Sequence, residues 1–220
     1  MRIAVLAVQG AFIEHEYMLE RLGAECIELR QKSDLNRDFE GIILPGGEST
    51  VQGKLLRELD MFDTLKEHLD NDMPVLGTCA GLILLAKRLE NDPRTYFATL
   101  PVSVRRNAYG RQLGSFSYQA KLYGAPEEDR LFPLEFIRAP YIEGVSEGYE
   151  LTAQSAATTQ QSGDKDNRVH ILTEIDKQPG DKTGSNIVGV RYRNQIGVAF
   201  HPELTDDTRC HEMFLAMCGM

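Results

Sequence analysis

Leu76 Gly77 Thr78 Cys79 Ala80 Gly81 Leu82 sets one thiol between two apolar runs, and the reading of this stretch decides the fold. Pro74 Val75 Leu76 is short and bounded by a breaker, as a buried strand would be, while Leu82 Ile83 Leu84 Leu85 Ala86 suits a helix laid against a sheet. Gly77 and Gly81 stand two residues either side of Cys79. That is the glycine-x-nucleophile-x-glycine spacing of a strand-to-helix elbow, in which the backbone folds sharply and exposes the central side chain. Cys79 would then open a helix, where free N–H groups and the positive end of the helix dipole stabilise negative charge. The alternative, a buried packing cysteine, calls for no flanking glycines.

Working back towards the N-terminus, Arg2 to Val8 reads as a first strand ended by Gln9 Gly10. Phe12, Tyr17 (or Glu16), Leu19 and Leu22 recur at near-helical spacing until Gly23, and His15 in this helix reads as a surface or packing residue. Cys26 to Leu29 and Gly41 to Leu44 make two further strands, and this strand–helix–strand rhythm predicts a mostly parallel sheet with helices on both faces. Pro45 Gly46 Gly47 Glu48 Ser49 Thr50 then forms a second glycine-rich turn at a strand's carboxyl end, where open α/β sheets collect their ligands. Gly46 and Gly47 would offer N–H groups to an oxyanion near Cys79, with Ser49 capping the next helix. Without a Gly-x-x-x-x-Gly-Lys-Ser/Thr order, it is not a phosphate loop.

Beyond the elbow, Pro101 to Tyr123, Phe132 to Ile137, Tyr149 to Gln154, Val169 to Ile175, Ile187 to Tyr192 and Ile196 to Phe200 read as strands. Arg105 to Gln112 is dense in guanidinium groups suited to gripping a carboxylate. The segment from about 155 to 186 is largely polar and reads as a hairpin excursion with a flexible tip on one domain spanning 1–220.

The last strand leads into His201 Pro202 Glu203, where Pro202 biases His201 towards an extended backbone. Residues i and i+2 of an extended chain point the same way, so Glu203 would reach the His201 ring, fix its tautomer and stabilise imidazolium. Asp206 and Asp207 would start a terminal helix, whose His211, Cys210 and Cys218 read as packing or surface residues. Cys79, His201 and Glu203 thus form a nucleophile, base and orienter, and acyl transfer is their natural chemistry. The N–H groups of Gly47 and Ala80 would hold the oxyanion.

Composition narrows the partners. The 220-residue chain carries 33 acidic and 24 basic residues for a net charge of −9, which gives no electrostatic footprint for nucleic acid or an anionic membrane. Its four cysteines, Cys26, Cys79, Cys210 and Cys218, include no C-x-x-C pair, so neither a metal site nor a disulfide framework is suggested. Ile3 to Val8 is too short for a signal-peptide core or a membrane span. A reduced, cytoplasmic protein without a cofactor is expected.

Residue blocks across nearly the whole chain carry a resemblance: Val8 to Ala11, Leu44 to Thr50, Gly77 to Ile83, Arg106 Asn107, Gly110 Arg111 Gln112, Phe136 to Pro140 and His201 to Thr205. The sequence resembles the class I (triad) glutamine amidotransferases, flavodoxin-like α/β domains, and among them the glutaminase subunits of pyridoxal 5′-phosphate synthase. The resemblance implies that Cys79, His201 and Glu203 are the triad, and that L-glutamine is held by Gly47, Glu48, Ser49, Arg106, Ile137 and Arg138. It implies a (β/α)8-barrel synthase subunit as the hetero-oligomeric partner that receives ammonia, and a Gly46–Gly47 peptide with its carbonyl turned into the site until that partner docks. A different amidotransferase, or a flavodoxin-like cysteine hydrolase, is the competing reading.

Overall fold

The computed structural model describes residues 1–90, 92–106, 115–153, 167–176 and 186–220. Strands β1 (Arg2–Leu6), β2 (Glu25–Leu29), β3 (Gly41–Leu44) and β4 (Val75–Thr78) alternate with helices α1 (Phe12–Arg21), α2 (Ser49–Glu58), α3 (Phe62–Asp70) and α4 (Ala80–Leu85). Shorter strands follow: β5 (Ala86–Leu89), β6 (Leu100–Arg105), β7 (Ser115–Ala120), β8 (Phe132–Ile137) and β9 (Tyr141–Val145). The chain then adds β10 (Glu150–Ala153), β11 (Arg168–Glu174), β12 (Ile187–Tyr192) and β13 (Gln195–Val198), and ends in α5 (Arg209–Met217).

Eight strands build the main sheet in the order β10-β11-β12-β13-β4-β3-β1-β2. Pairing is parallel except at β11–β12 and β12–β13. Every residue of β3, β4 and β13 is buried, as befits strands covered on both faces. The chain steps outward from β1 to β2 and the other way from β3 to β4, so right-handed crossovers put α1 on one face and α2 with α3 on the opposite one. The reversal of direction between β1 and β3 opens a crevice at their carboxyl ends. A three-stranded sheet (β5-β6-β9) and a two-stranded ribbon (β7-β8) flank the main sheet. Phe136 of the ribbon stacks on Phe116 at 4.5 Å and meets Phe200 edge-on at 6.0 Å, which anchors the ribbon beside the end of β13. No helix among the described residues is long and apolar enough to cross a membrane.

Periodicity located the elements better than it oriented them. On α1 the buried side chains are His15, Met18 and Leu19, whereas Tyr17 is 62% exposed, so the inward face is turned by one residue from the sequence reading. The elbow helix ends at Leu85, and Ala86 already belongs to β5. β9 was not anticipated from the sequence. β10 and β11 pair in parallel while β11 and β12 pair antiparallel, so the excursion is not one simple antiparallel arm. Its positions 155–166 and 177–185, like 107–112 of the basic cluster, lie outside the described residues. The terminal helix starts at Arg209, not at the two aspartates; Asp207 instead accepts from the Arg209 N–H at 3.2 Å and from its guanidinium.

Candidate active site

Cys79 lies between β4 and α4 with φ 48° and ψ −96°, a conformation few L-residues adopt, at a cost of about 1–3 kcal/mol. The sharp turn is therefore made by the cysteine itself. Gly81 serves a different end: a Cβ there would sit 1.9 Å from the Leu44 carbonyl oxygen, so its bareness lets α4 close onto β3. The elbow is pinned on its far side by the Cys79 N–H, which donates to the Val198 carbonyl of β13 at 2.8 Å.

Three residues beyond the end of β13, His201 meets that thiol. Its N–H donates to the Glu135 carbonyl of β8 at 2.8 Å, and its ring Nδ1 bonds Glu203 Oε1 at 2.6 Å. Glu203 arrives by a 3₁₀ turn over Pro202–Leu204 rather than along an extended chain, so the sequence reading had the right partner by the wrong path. Burial opposes charge on His201, but hydrogen bonds to Cys79 and Glu203 outweigh it and push the ring up to about 10.

Around this pair runs a cleft of about 380 Å³ whose walls come from the carboxyl ends of β1, β3, β4, β6, β8 and β13. Gln9 to Ala11, Gly46 to Ser49, Cys79, Arg106, Ile137, Arg138 and His201 line it. Every residue expected to bind or react therefore borders one cleft, except Glu203 and Ala80, which lie immediately behind it. The Cys79 sulfur lies 3.9 Å from the Ile137 carbonyl.

Two turns carry the N–H groups expected to hold an oxyanion. Ala80 opens α4, so its N–H has no acceptor within the helix. The Gly46 carbonyl accepts from the Ala11 N–H at 3.0 Å, and in a trans peptide the Gly47 N–H points the opposite way. Releasing that peptide to rotate would break the Ala11 bond. Gly46 also lies close on the His201 ring, where a Cβ would stand 2.3 Å from Cε1.

Ser49 does not cap α2. Glu48 does, accepting from the Thr50 N–H at 3.3 Å, which leaves the Ser49 hydroxyl buried and without a hydrogen-bond partner among the described residues. A bare polar group in a cleft wall is costly unless a ligand meets it. Arg106 donates to Glu48 Oε1 and Thr50 Oγ1, each at 2.9 Å, and to Asp92 Oδ2 at 3.1 Å. Arg138, exposed and with φ 46°, makes no hydrogen bond or ion pair among the described residues. The cleft thus presents carboxylate and guanidinium groups together, which suits a zwitterion.

Sequence reasoning missed the layer behind the cleft. Gln52 is fully buried and donates to both the Gln9 carbonyl at 2.9 Å and the Pro45 carbonyl at 3.1 Å, which ties the β1 and β3 turns together. Thr78 Oγ1 accepts from the Gly46 N–H at 2.9 Å. His15 and His211, read as surface or packing residues, are fully buried and bond each other at 2.9 Å. No local signal marks any of the four, because each partner lies on another element.

The buried histidines have a consequence for stability. Burial, followed by the Arg21 charge, pushes His211 down to about 3, and burial followed by His211 and His201 holds His15 well below the ordinary value of 6.5. Below about 6.5 the unfolded chain takes up protons that these rings refuse, so stability falls with pH by up to about 1.4 kcal/mol per unit for each ring. His201 has the opposite sign: its contribution is complete below 6.5 and lost as pH rises through about 10. Urea unfolding between pH 7 and 4 should show a shallower loss in His211→Gln than in the wild type, and parallel curves would refute this account.

The fold and cleft are those of the glutamine amidotransferase class. A solved structure titled as a glutamine amidotransferase superposes with a TM-score of 0.78 at 35% identity, covering 99% of each chain. The profile of the SNO glutamine amidotransferase family matches residues 5–220, and the chain belongs to that family. Named relatives agree. A Desulfitobacterium hafniense protein called pyridoxal 5′-phosphate synthase subunit PdxT is 55% identical over 215 residues, 98% of this chain and 92% of its own. One of the same name from Bifidobacterium longum is 46% identical, covering 97% and 98%.

Proposed function

We propose that this chain is the glutaminase subunit of a pyridoxal 5′-phosphate synthase, hydrolysing L-glutamine to L-glutamate and ammonia. The observation that carries the reading is the 2.6 Å His201–Glu203 bond beside a thiol on a strained elbow, in a cleft that offers both charges to an amino acid.

Cys79 gives its proton to His201 and its sulfur adds to the side-chain carbonyl of glutamine. The Gly47 and Ala80 N–H groups take the developing oxyanion. His201 passes its proton to the amide nitrogen, the C–N bond breaks, and ammonia leaves a thioester on Cys79. Water, deprotonated by His201, then cleaves the thioester to glutamate. Glu203 keeps the ring oriented throughout.

At the other end of the substrate, Arg138 and the Ser49 hydroxyl face the α-carboxylate, while Glu48, braced by Arg106, faces the α-ammonium. The Ile137 backbone completes this pocket. Ammonia passes to a synthase partner subunit, a reading supported by relatives named as a subunit of pyridoxal 5′-phosphate synthase; the family resemblance implies that this partner is a (β/α)8 barrel. Four unpaired thiols suit a reducing, cytoplasmic setting.

The test is glutamate release from glutamine with and without a pyridoxal 5′-phosphate synthase barrel subunit. Hydrolysis stimulated by that subunit is expected. If glutamine stays intact under both conditions, the reading is wrong.

A further inference from the structure

Behind the triad, two histidines from opposite ends of the chain meet in a place without solvent. His15 of α1 is fully buried, and its Nε2 faces two oxygens at once: Thr78 Oγ1 at 3.2 Å and Glu203 Oε2 at 3.5 Å. Glu203 Oε2 is itself buried and has no hydrogen-bond partner within normal distance among the described residues. On the other side of the ring, His15 Nδ1 lies 2.9 Å from His211 Nε2 of α5.

The chemistry of the neighbours selects the tautomer. A carboxylate only accepts, so the His15 nitrogen turned to Glu203 has to carry the hydrogen. Burial keeps the ring neutral, with one hydrogen to place, which leaves Nδ1 a lone pair. His211 Nε2–H must then be the donor between the two rings. The far end of the chain agrees independently: His211 Nδ1 is buried without a partner, and an orphaned lone pair is tolerated more readily than an orphaned N–H.

We infer that His15, its tautomer set by His211, is a positioning residue that presents Nε2–H to Glu203 and Thr78 and so aligns the triad carboxylate with the oxyanion turn. The link to that turn is Thr78, whose hydroxyl oxygen also receives the Gly46 N–H at 2.9 Å. One ring therefore bears on both halves of the site: through Glu203 on the angle of His201, and through Thr78 on the peptide that carries the Gly47 N–H. Groups that orient a reacting residue in this way commonly change rates by about 10–100-fold when removed. Nothing in the inference requires His15 to touch the substrate, so its loss should appear in kcat and leave KM nearly unchanged.

This rests on the glutaminase reading above, and the experiment keeps the two apart. Glutamine hydrolysis is measured in the complex with the barrel subunit for the wild type, Cys79→Ala, His15→Gln, His15→Asn and Leu19→Ala. The glutamine side chain carries an amide N–H to the place of Nε2, and asparagine reaches only the place of Nδ1. His15→Gln should therefore retain kcat at least about tenfold above His15→Asn at similar KM. Leu19→Ala, a buried cavity variant on the same helix, should lower the melting temperature with kcat close to wild type. Equal kcat in the two His15 variants, or losses that follow melting temperature as in Leu19→Ala, would overturn the positioning role. Activity surviving in Cys79→Ala would instead overturn the glutaminase mechanism.

Discussion

Cys79→Ala should lower glutamine hydrolysis in the assembled synthase by at least about 10⁴-fold, since removing the nucleophile from a coupled triad forfeits nearly all covalent catalysis. The size follows from the route. Without sulfur there is no thioester, and the cleft can only hold glutamine near an unactivated water. The fold should barely respond. Alanine keeps a Cβ in the same strained geometry at φ 48°, so neither the elbow nor the approach of Gly81 to Leu44 is relieved. Cys79→Gly makes the contrast: it removes the thiol and the backbone strain together, and should be inactive yet more stable. Thermal melts beside the activity assay separate the two effects, and a glutaminase rate within tenfold of wild type in either variant would exclude Cys79 as the nucleophile.

Glu203→Gln should reduce kcat by about 10³–10⁴-fold, the scale seen when the acid of a hydrolytic triad becomes an amide. Two effects act together. The 2.6 Å bond from His201 Nδ1 loses its charge, so the imidazolium form loses one of the supports that lift it to about 10. An amide can also present its NH₂ group to the ring, which would favour the tautomer with the wrong nitrogen protonated. Glutamine affinity should change little, because Glu203 lies behind the cleft instead of lining it. A kcat within tenfold of wild type would show that some other group orients His201.

Legibility in the sequence followed distance along the chain. The elbow was readable because its parts are adjacent, and the His201–Glu203 pair because they stand two positions apart, although the 3₁₀ turn that joins them was not. Hydrophobic patterning located β3 and β8 to the residue: β3 is an unbroken apolar run buried on both faces, and β8 alternates buried Phe132, Leu134 and Phe136 with more exposed positions. The rotation of α1 was misjudged because Tyr17 and Met18 are both apolar enough for the inward face, and only packing chooses between them. Ser49 was given the cap on residue type alone, where the neighbouring Glu48 makes the bond.

By itself, then, the sequence determined the class of fold and singled out Cys79, His201 and Glu203 as the candidate nucleophile, base and orienter, because short-range spacing and strand–helix alternation constrain the backbone directly. Only the tertiary structure decided which groups stand behind them. The two histidine rings that meet at 2.9 Å are 196 positions apart, and Thr78 reaches the Gly46 N–H across 32. Such contacts are products of how β1, β3, β4 and α5 come together in space. A buried polar side chain finds its partner through that packing, and nothing in its own neighbourhood along the chain announces which partner it will be.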